Sequence, residues 1–369
     1  MVRRILVWLF VATVAVLVSA IFLKKGQIPN NLTDTEKYKR DKPVLIRGSI
    51  PYWEQEKAFL SFSQNANKFD YISLYWYYLG TNGQIKKYSG AREDQNIIKL
   101  AHDNNVKVGA IVTNLLDDED LGWNSPRVEA WIKNDSAIEA HVSSIGEKLT
   151  NAGFDGVIVD YELVNAGQKE NFSKFIKALS EKMHKEGKFV TVALHPKTAE
   201  GKKGEEIGRF QDWKEISKYA DQLSIMGYSE HGDEDESGPI ASVGWVDSIV
   251  NYALSLKIPR EKLFLGIPLY GYRWQVGSDE NAEGLTFAQI QKIISANQIE
   301  VQWDETAKSP YFSYEKDGEE YIVWFENAGS VSEKISLADE AGFGGVNFWR
   351  LGDEDPQIWQ KVQEIKLKN

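Results

Sequence analysis

Cysteine is missing from all 369 residues, and its absence excludes disulfides, thiolate nucleophiles and cysteine-based metal sites together. The fold is therefore indifferent to the redox state of its compartment. Positive charge is in short supply. Against 54 Asp and Glu stand 43 Lys and Arg, for a formal net charge of −11, so there is no basic field to attract a phosphate backbone and nucleic acid is not an expected partner. The five histidines show no ligand spacing, so neither a metal site nor another cofactor is expected. No internal repeat or low-complexity block is visible. Long apolar runs are absent too, with one exception at the N-terminus.

That exception is Arg3 and Arg4, then an uninterrupted stretch of apolar or small residues from Ile5 to Leu23, then Lys24 and Lys25. At a rise of about 1.5 Å per residue the stretch covers roughly 28 Å, close to the hydrocarbon thickness of a bilayer. Residues 1–25 are read as a membrane segment, crossing through residues 5–23. The alternative is a cleaved signal peptide, since Val18-Ser19-Ala20 loosely fits a small-residue cleavage site, although the apolar run continues past it. Either way the basic N-terminus stays inside and the remainder is exported, as a single-pass membrane protein with an extracellular domain or as a secreted one. Residues 26–43 are polar and without periodicity, as befits a linker. With 42% hydrophobic and 26% charged residues, the rest, 44–369, can bury a large core.

Within 44–369, short apolar runs recur, each followed by a segment of helical pattern. They are Val44 to Ile50, Tyr71 to Trp76, Val106 to Val112, Gly156 to Tyr161, Phe189 to Leu194, Gln222 to Met226, Leu263 to Leu269 and Gly345 to Trp349. Between the third and fourth, Ile138, Val142, Ile145, Leu149 and Ala152 line up one stripe of a helix that Gly153 would stop. Alternation of this kind implies an α/β fold with a parallel sheet and helices outside. Eight units suggest closure into a (β/α)8 TIM barrel, whose active site lies where the strands end. One interval, about 275–326, breaks the rhythm and reads as a small α+β insertion after strand seven, at the catalytic rim.

The fourth run carries the chemistry: Asp155-Gly156-Val157-Ile158-Val159-Asp160-Tyr161-Glu162. Side chains alternate along a strand, so Ile158, Asp160 and Glu162 share a face, and the Cα atoms of the two acids are roughly 6 to 7 Å apart. In a confined site two such negative charges raise one pKa and leave one group protonated near neutral pH. The result is a general acid beside a carboxylate. The plain alternative is a strand end whose acids cap loops or pair with lysine and arginine.

This stretch resembles the DxxDxDxE signature of glycoside hydrolase family 18, the chitinase and endo-β-N-acetylglucosaminidase family, with Asp155, Asp160 and Glu162 matching and Ile158 in place of the middle Asp. Met226-Gly227-Tyr228, Leu265 to Tyr272 and Gly344 to Gly352 resemble the family's strands six, seven and eight. Gly48 to Trp53 and Val323 to Glu326 are most similar to its bacterial cell-wall and spore-associated branch. The resemblance implies that the sugar's own 2-acetamido group attacks the anomeric carbon, an exception to the two-carboxylate scheme. Glu162 would protonate the leaving oxygen and then activate water. Asp160 would orient the acetamido group, Tyr228 would hold its oxygen, and Asp155 would support them from the start of the strand. Trp349 would be the floor under the reacting sugar, with Met226 packed beside it.

Tyr52, Tyr270 and Tyr272 fall near strand ends and are candidate sugar-binding aromatics, and Asn114, ending strand three, is a further candidate. His102, His141 and His184 lie in helical stretches and read as surface residues, whereas His195 and His231 follow strands five and six, where either could touch substrate, although neither is a leading candidate. Retaining hydrolysis of β-1,4-linked N-acetylglucosamine glycans is the expected function, peptidoglycan ahead of chitin. A catalytically silent, glycan-binding barrel is the rival reading, which Glu162 argues against and Ile158 argues for.

Overall fold

A computed structural model describes residues 43–117, 122–202, 205–278 and 280–368, all within the unit Arg40–Asn369. The expected membrane segment and all but the end of the linker lie outside the described residues. Among the described residues no helix is long and apolar enough to cross a membrane.

The strands are β1 (Leu45–Pro51), β2 (Tyr71–Leu79), β3 (Ile85–Lys87), β4 (Lys107–Thr113), β5 (Gly156–Asp160), β6 (Phe189–Leu194), β7 (Gln222–Ile225), β8 (Leu263–Pro268), β9 (Tyr270–Gln275), β10 (Glu283–Thr286), β11 (Gln302–Asp304), β12 (Ser309–Lys316), β13 (Glu319–Phe325) and β14 (Gly345–Trp349). Eight of them, β1, β2, β4, β5, β6, β7, β8 and β14, pair in parallel. Because β1 pairs with both β14 and β2, the sheet closes into a barrel. Closure leaves no free edge among these eight, and the short β3 adds antiparallel to β2. All eight apolar runs of the sequence are barrel strands.

The amphipathic stripe behaves as its spacing requires. Helix Asp135–Ala152 buries Ile138, Val142, Ile145 and Leu149, is capped by the Asn134 side chain on the Ala137 N–H, and ends at Gly153 with φ 78°. His141, expected at the surface, is buried on this helix, where its Nε2 lies 2.7 Å from the Tyr161 hydroxyl. It shares the inward stripe, one residue before Val142.

Three aspartates at the N-terminal ends of strands tie the barrel together. Asp70 accepts from the Ile46 N–H (2.8 Å) and from Lys366 (2.8 Å). Asp155 accepts from the Val108 N–H (2.7 Å) and sits 2.9 Å from His102 Nε2. Asp221 accepts from the Val190 N–H (2.7 Å) and sits 2.9 Å from His184. Each takes up a backbone donor on the preceding strand and anchors an outer helix. Asp155 thus clamps the barrel at the start of its strand, and its carboxylate does not reach the cavity that holds Asp160. Five residues of strand, roughly 16 Å, separate it from Asp160, and both partners of its carboxylate are at the opposite end of the barrel.

After β8 the chain leaves the barrel to build a second sheet, in the antiparallel order β10-β9-β13-β12-β11. Helix Phe287–Asn297, which starts at a capping box on Thr286 and Gln289, accompanies this sheet, and Leu285, Ile290, Phe312, Val323 and Phe325 form its own core. This α+β unit begins at Tyr270, earlier than the expected 275. The alternating Tyr270, Tyr272 and Trp274 belong to its first strand and not to an extension of strand seven.

Asp155→Ala should therefore lower stability by about 1–3 kcal/mol, the cost of a buried N–H left without its acceptor, while kcat of the folded protein changes by less than about 2-fold. Denaturant melts and turnover per folded molecule check this. Loss of turnover without loss of stability would return Asp155 to the catalytic network.

Candidate active site

The barrel interior is layered from the bottom up by the inward residues of its strands. Arg47 sits lowest, about 1% exposed, its guanidinium 5.0 Å from the Tyr71 ring centroid and 5.2 Å from that of Phe264. Its Nη2 donates to Thr191 and Gln222, while Nε and Nη1 have no partner. Burial lowers its pKa to about 10, so it remains charged. Above it lies a polar layer in which Ser49 donates to Asn347 Oδ1 and Asn347 Nδ2 donates to Ser224, both at 3.3 Å. Ile158 shares this region, and a Cβ at Gly109 would run into its Cδ1. The missing glycine side chain on β4 makes room for the isoleucine that replaces an acid.

Asp160 and Glu162 top this column at the C-terminal end of β5. They line a cavity of about 330 Å³ together with Tyr75, Met226, Tyr228, Tyr270, Tyr272 and Trp349. The backbone of Glu162 is clamped from β4. Asn114, fully buried, accepts from the Glu162 N–H through Oδ1 (2.8 Å) and donates from Nδ2 to the Glu162 carbonyl (2.9 Å). An amide side chain here continues the β4–β5 ladder one step past its last backbone pair, Thr113 with Asp160. The next residue, Leu163, has φ 57°, and this left-handed turn takes the chain away from the sheet and leaves Glu162 at the rim. Ser229, just after Tyr228, does the same with φ 66°.

Burial pushes Asp160 up from 3.8 to about 7, and burial together with the charge of Asp160 pushes Glu162 well above its ordinary value. Held in one cavity, the two carboxyl groups retain a proton between them near neutral pH and titrate as a pair. The Tyr228 hydroxyl is held protonated by burial and by the negative charges nearby, Asp160 foremost. It is therefore a hydrogen-bond donor. Tyr75 is likewise pushed up by burial, with Asp160 among the contributing charges.

The structure brings together Glu162, Asp160, Tyr228, Met226, Trp349, Tyr270 and Tyr272 around one cavity. Three candidates are placed elsewhere. Asp155 is at the far end of the barrel. Asn114 does not line the cavity: both polar ends of its amide are engaged by the Glu162 backbone, which it positions. Tyr52 does not line the cavity: it stacks on Tyr88 at 4.7 Å and packs 6.3 Å from Tyr75, which does line it and whose ring lies 5.7 Å from that of Trp349.

Tyr75, Trp123, Asn347 and Arg47 were not singled out from the sequence. The alternation Tyr71, Ser73, Tyr75 on β2 and Asn347, Trp349 on β14 carried the signal for two of them. Trp123 comes from the loop after β4, where no periodicity operates.

A sequence model of Glycosyl hydrolases family 18 matches residues 121–355. The chain belongs to this family. The glycosylase YvbX of Bacillus subtilis, itself uncharacterized, is 26% identical over 284 residues, covering 77% of this chain and 80% of that protein. The cortical fragment-lytic enzyme of the same organism is 25% identical over 268 residues, 72% of this chain and 61% of its own length. Among solved structures, a chitinase from Chromobacterium violaceum superposes with a TM-score of 0.79 at 26% identity, covering 87% of this chain and 98% of its own. The family 18 chain is a glycosidase, and the bacterial spore and cell-wall branch is its neighbourhood.

The raised carboxyl pKa values fix a sign for stability. Folded Asp160 and Glu162 keep protons that the unfolded chain releases, so as pH rises from about 4 to about 7 they withdraw stability. His141 and His195, lowered by burial from 6.5 to about 4, are neutral when folded and add stability over pH 4 to 6.5. The double variant Asp160→Asn, Glu162→Gln loses only the first term. It should gain on the native protein as pH rises, by about 4 kcal/mol near neutrality, the worth of the Asp160 shift, in chemical denaturation run at several pH values. A pH-independent difference would contradict the raised values.

Proposed function

We propose that this glycosidase hydrolyses β-1,4-linked N-acetylglucosamine glycans with retention of configuration, using the substrate's own acetamido group as nucleophile. The observation that carries this reading is the acid pair facing a protonated Tyr228 across one cavity. Glu162, protonated in the resting state, gives its proton to the glycosidic oxygen as the C1–O bond breaks. The acetamido carbonyl oxygen attacks C1 from the opposite face to give an oxazolinium ion. Asp160 accepts from the acetamido N–H and balances the positive charge, and the Tyr228 hydroxyl donates to the acetamido oxygen. Water then attacks C1, its proton passes to Glu162, and the acetamido group is released. Two displacements at C1 return its original configuration. Trp349 offers an aromatic face to the sugar, beside Tyr75 and in the cavity that Tyr270 and Tyr272 also line.

Peptidoglycan stands ahead of chitin as the substrate. The similarity to a cortical fragment-lytic enzyme supports it, as does the apolar segment 5–23, which would hold the catalytic domain on the outer face of the cell membrane, or export it if cleaved. A purely glycan-binding role would leave a protonated Glu162 without a task.

Two comparisons test the proposal. Glu162→Gln should lower turnover on N-acetylglucosamine oligomers by about 10²- to 10⁴-fold, the usual worth of general acid–base assistance, with oligomer affinity largely kept. Oligomers carrying a free amine at the cleaved sugar should bind the native protein without reacting. Efficient cleavage of a fully deacetylated oligomer would instead require an enzymic nucleophile or directly attacking water.

A further inference from the structure

His195 follows β6 and stands against Glu162 without lining the cavity. Its side chain is 9% exposed and its Nε2 lies 3.9 Å from Glu162 Oε2. That nitrogen is buried and has no hydrogen-bond partner. The residue is held from both sides. Its backbone N–H donates to Gln211 Oε1 at 2.8 Å, its ring meets the edge of Phe210 at 6.2 Å, and a Cβ at Gly208 would press on its own Cβ at 3.0 Å. Among the described residues, the ionisable groups facing it are few. Glu162 comes from the end of β5, with Asp160 and Tyr228 beyond it. On its own segment is Lys197, which donates to the Gln211 carbonyl at 2.8 Å and lies 3.7 Å from Glu200. The turn Ile207–Phe210 and Gln211 bring Phe210 and an uncharged amide against it. Burial and the Lys197 charge keep the ring neutral at working pH.

An orphaned imidazole nitrogen inside a protein is costly, and here it lies 3.9 Å from a carboxyl oxygen, less than an ångström beyond hydrogen-bond range. We infer that His195 is a positioning residue for Glu162: a neutral ring that donates Nε2–H to one carboxyl oxygen, leaving the other to carry the transferable proton. The bond forms with a small rotation of the Glu162 side chain. It strengthens as Glu162 becomes charged, because hydrogen bonds to an ionised acceptor are about twice as strong. His195 keeps its proton throughout. Its effect is to make Glu162 a better acid in the first step and to hold the glutamate in place until it takes a proton from water. The inference rests on the role proposed for Glu162, but it can be tested without turnover.

His195→Phe keeps a ring and removes the donor, and His195→Gln restores an N–H at nearly the same reach. In the full-length chain, with glutamate 13C-labelled at the side-chain carboxyl and the Glu162 signal identified by its loss in Glu162→Gln, NMR titration follows the acid directly. In His195→Phe the Glu162 titration and the alkaline limb of kcat should both move up by about one pH unit. In the same variant kcat should fall about 10-fold with KM nearly unchanged. His195→Gln should behave close to the native protein in all three. A folded His195→Phe with unmoved titration and unmoved alkaline limb overturns the inference, because a purely structural histidine would change melting temperature alone. If the native protein cleaves no N-acetylglucosamine glycan, the functional proposal fails, and the NMR titration still decides the role of His195.

Discussion

Two carboxyl groups that share one face of a strand end, inside a walled cavity, cannot both be charged near neutrality. The rest of the molecule serves that constraint. Parallel pairing of eight strands sets the wall, and strand alternation points Asp160 and Glu162 the same way. The amide of Asn114 extends the sheet by one rung so that Glu162 is fixed at its backbone. Left-handed residues Leu163 and Ser229 turn the chain just after the acid and the tyrosine. The aspartate clamps at the other end of the barrel carry the hydrogen bonds that keep neighbouring strands in register, far from the chemistry.

Below the acids the interior departs from the pattern that the family signature implies. Where a middle aspartate would stand, Ile158 packs over Gly109, and the nearest charge further down is cationic, on Arg47 between aromatic rings. Asp160 therefore has no acid beneath it on its own strand with which to share a proton, and its raised pKa comes from burial. Glu162 is the acid it couples to. This column concentrates the proton chemistry in the top layer, which gives a neutral hydrogen-bond donor such as His195 more leverage than a buried histidine usually has.

Much of this was legible in the sequence. Eight short apolar runs separated by helical patterns left little room for any architecture but a closed barrel, and a single motif marked Asp160 and Glu162. What escaped did so for identifiable reasons. Asp155 belongs to the same motif as Asp160 and Glu162 and was legible as the residue that starts the strand, but a linear pattern does not show that its carboxylate is taken up by the Val108 N–H and His102. Asn114 sits at a strand end, as sugar-binding residues do, but only the three-dimensional register shows that both ends of its amide meet the Glu162 backbone. Tyr52 and Tyr75 are both tyrosines near strand ends, and the bend of the chain after β1 decides that Tyr75 faces the cavity. The α+β unit was visible as a break in rhythm. Its start was misplaced because an alternating aromatic strand reads the same whether it belongs to the barrel or to the sheet beside it.

Hydrolysis by two displacements at C1, with Glu162 handling the proton, is read most directly from the stereochemistry of the first product. Proton NMR of a β-linked N-acetylglucosamine oligomer, or of peptidoglycan strands, during the first turnovers distinguishes the anomers before mutarotation mixes them. Two displacements at C1 predict that the β anomer appears first. Initial release of the α anomer would mean a single displacement by water and would contradict the mechanism.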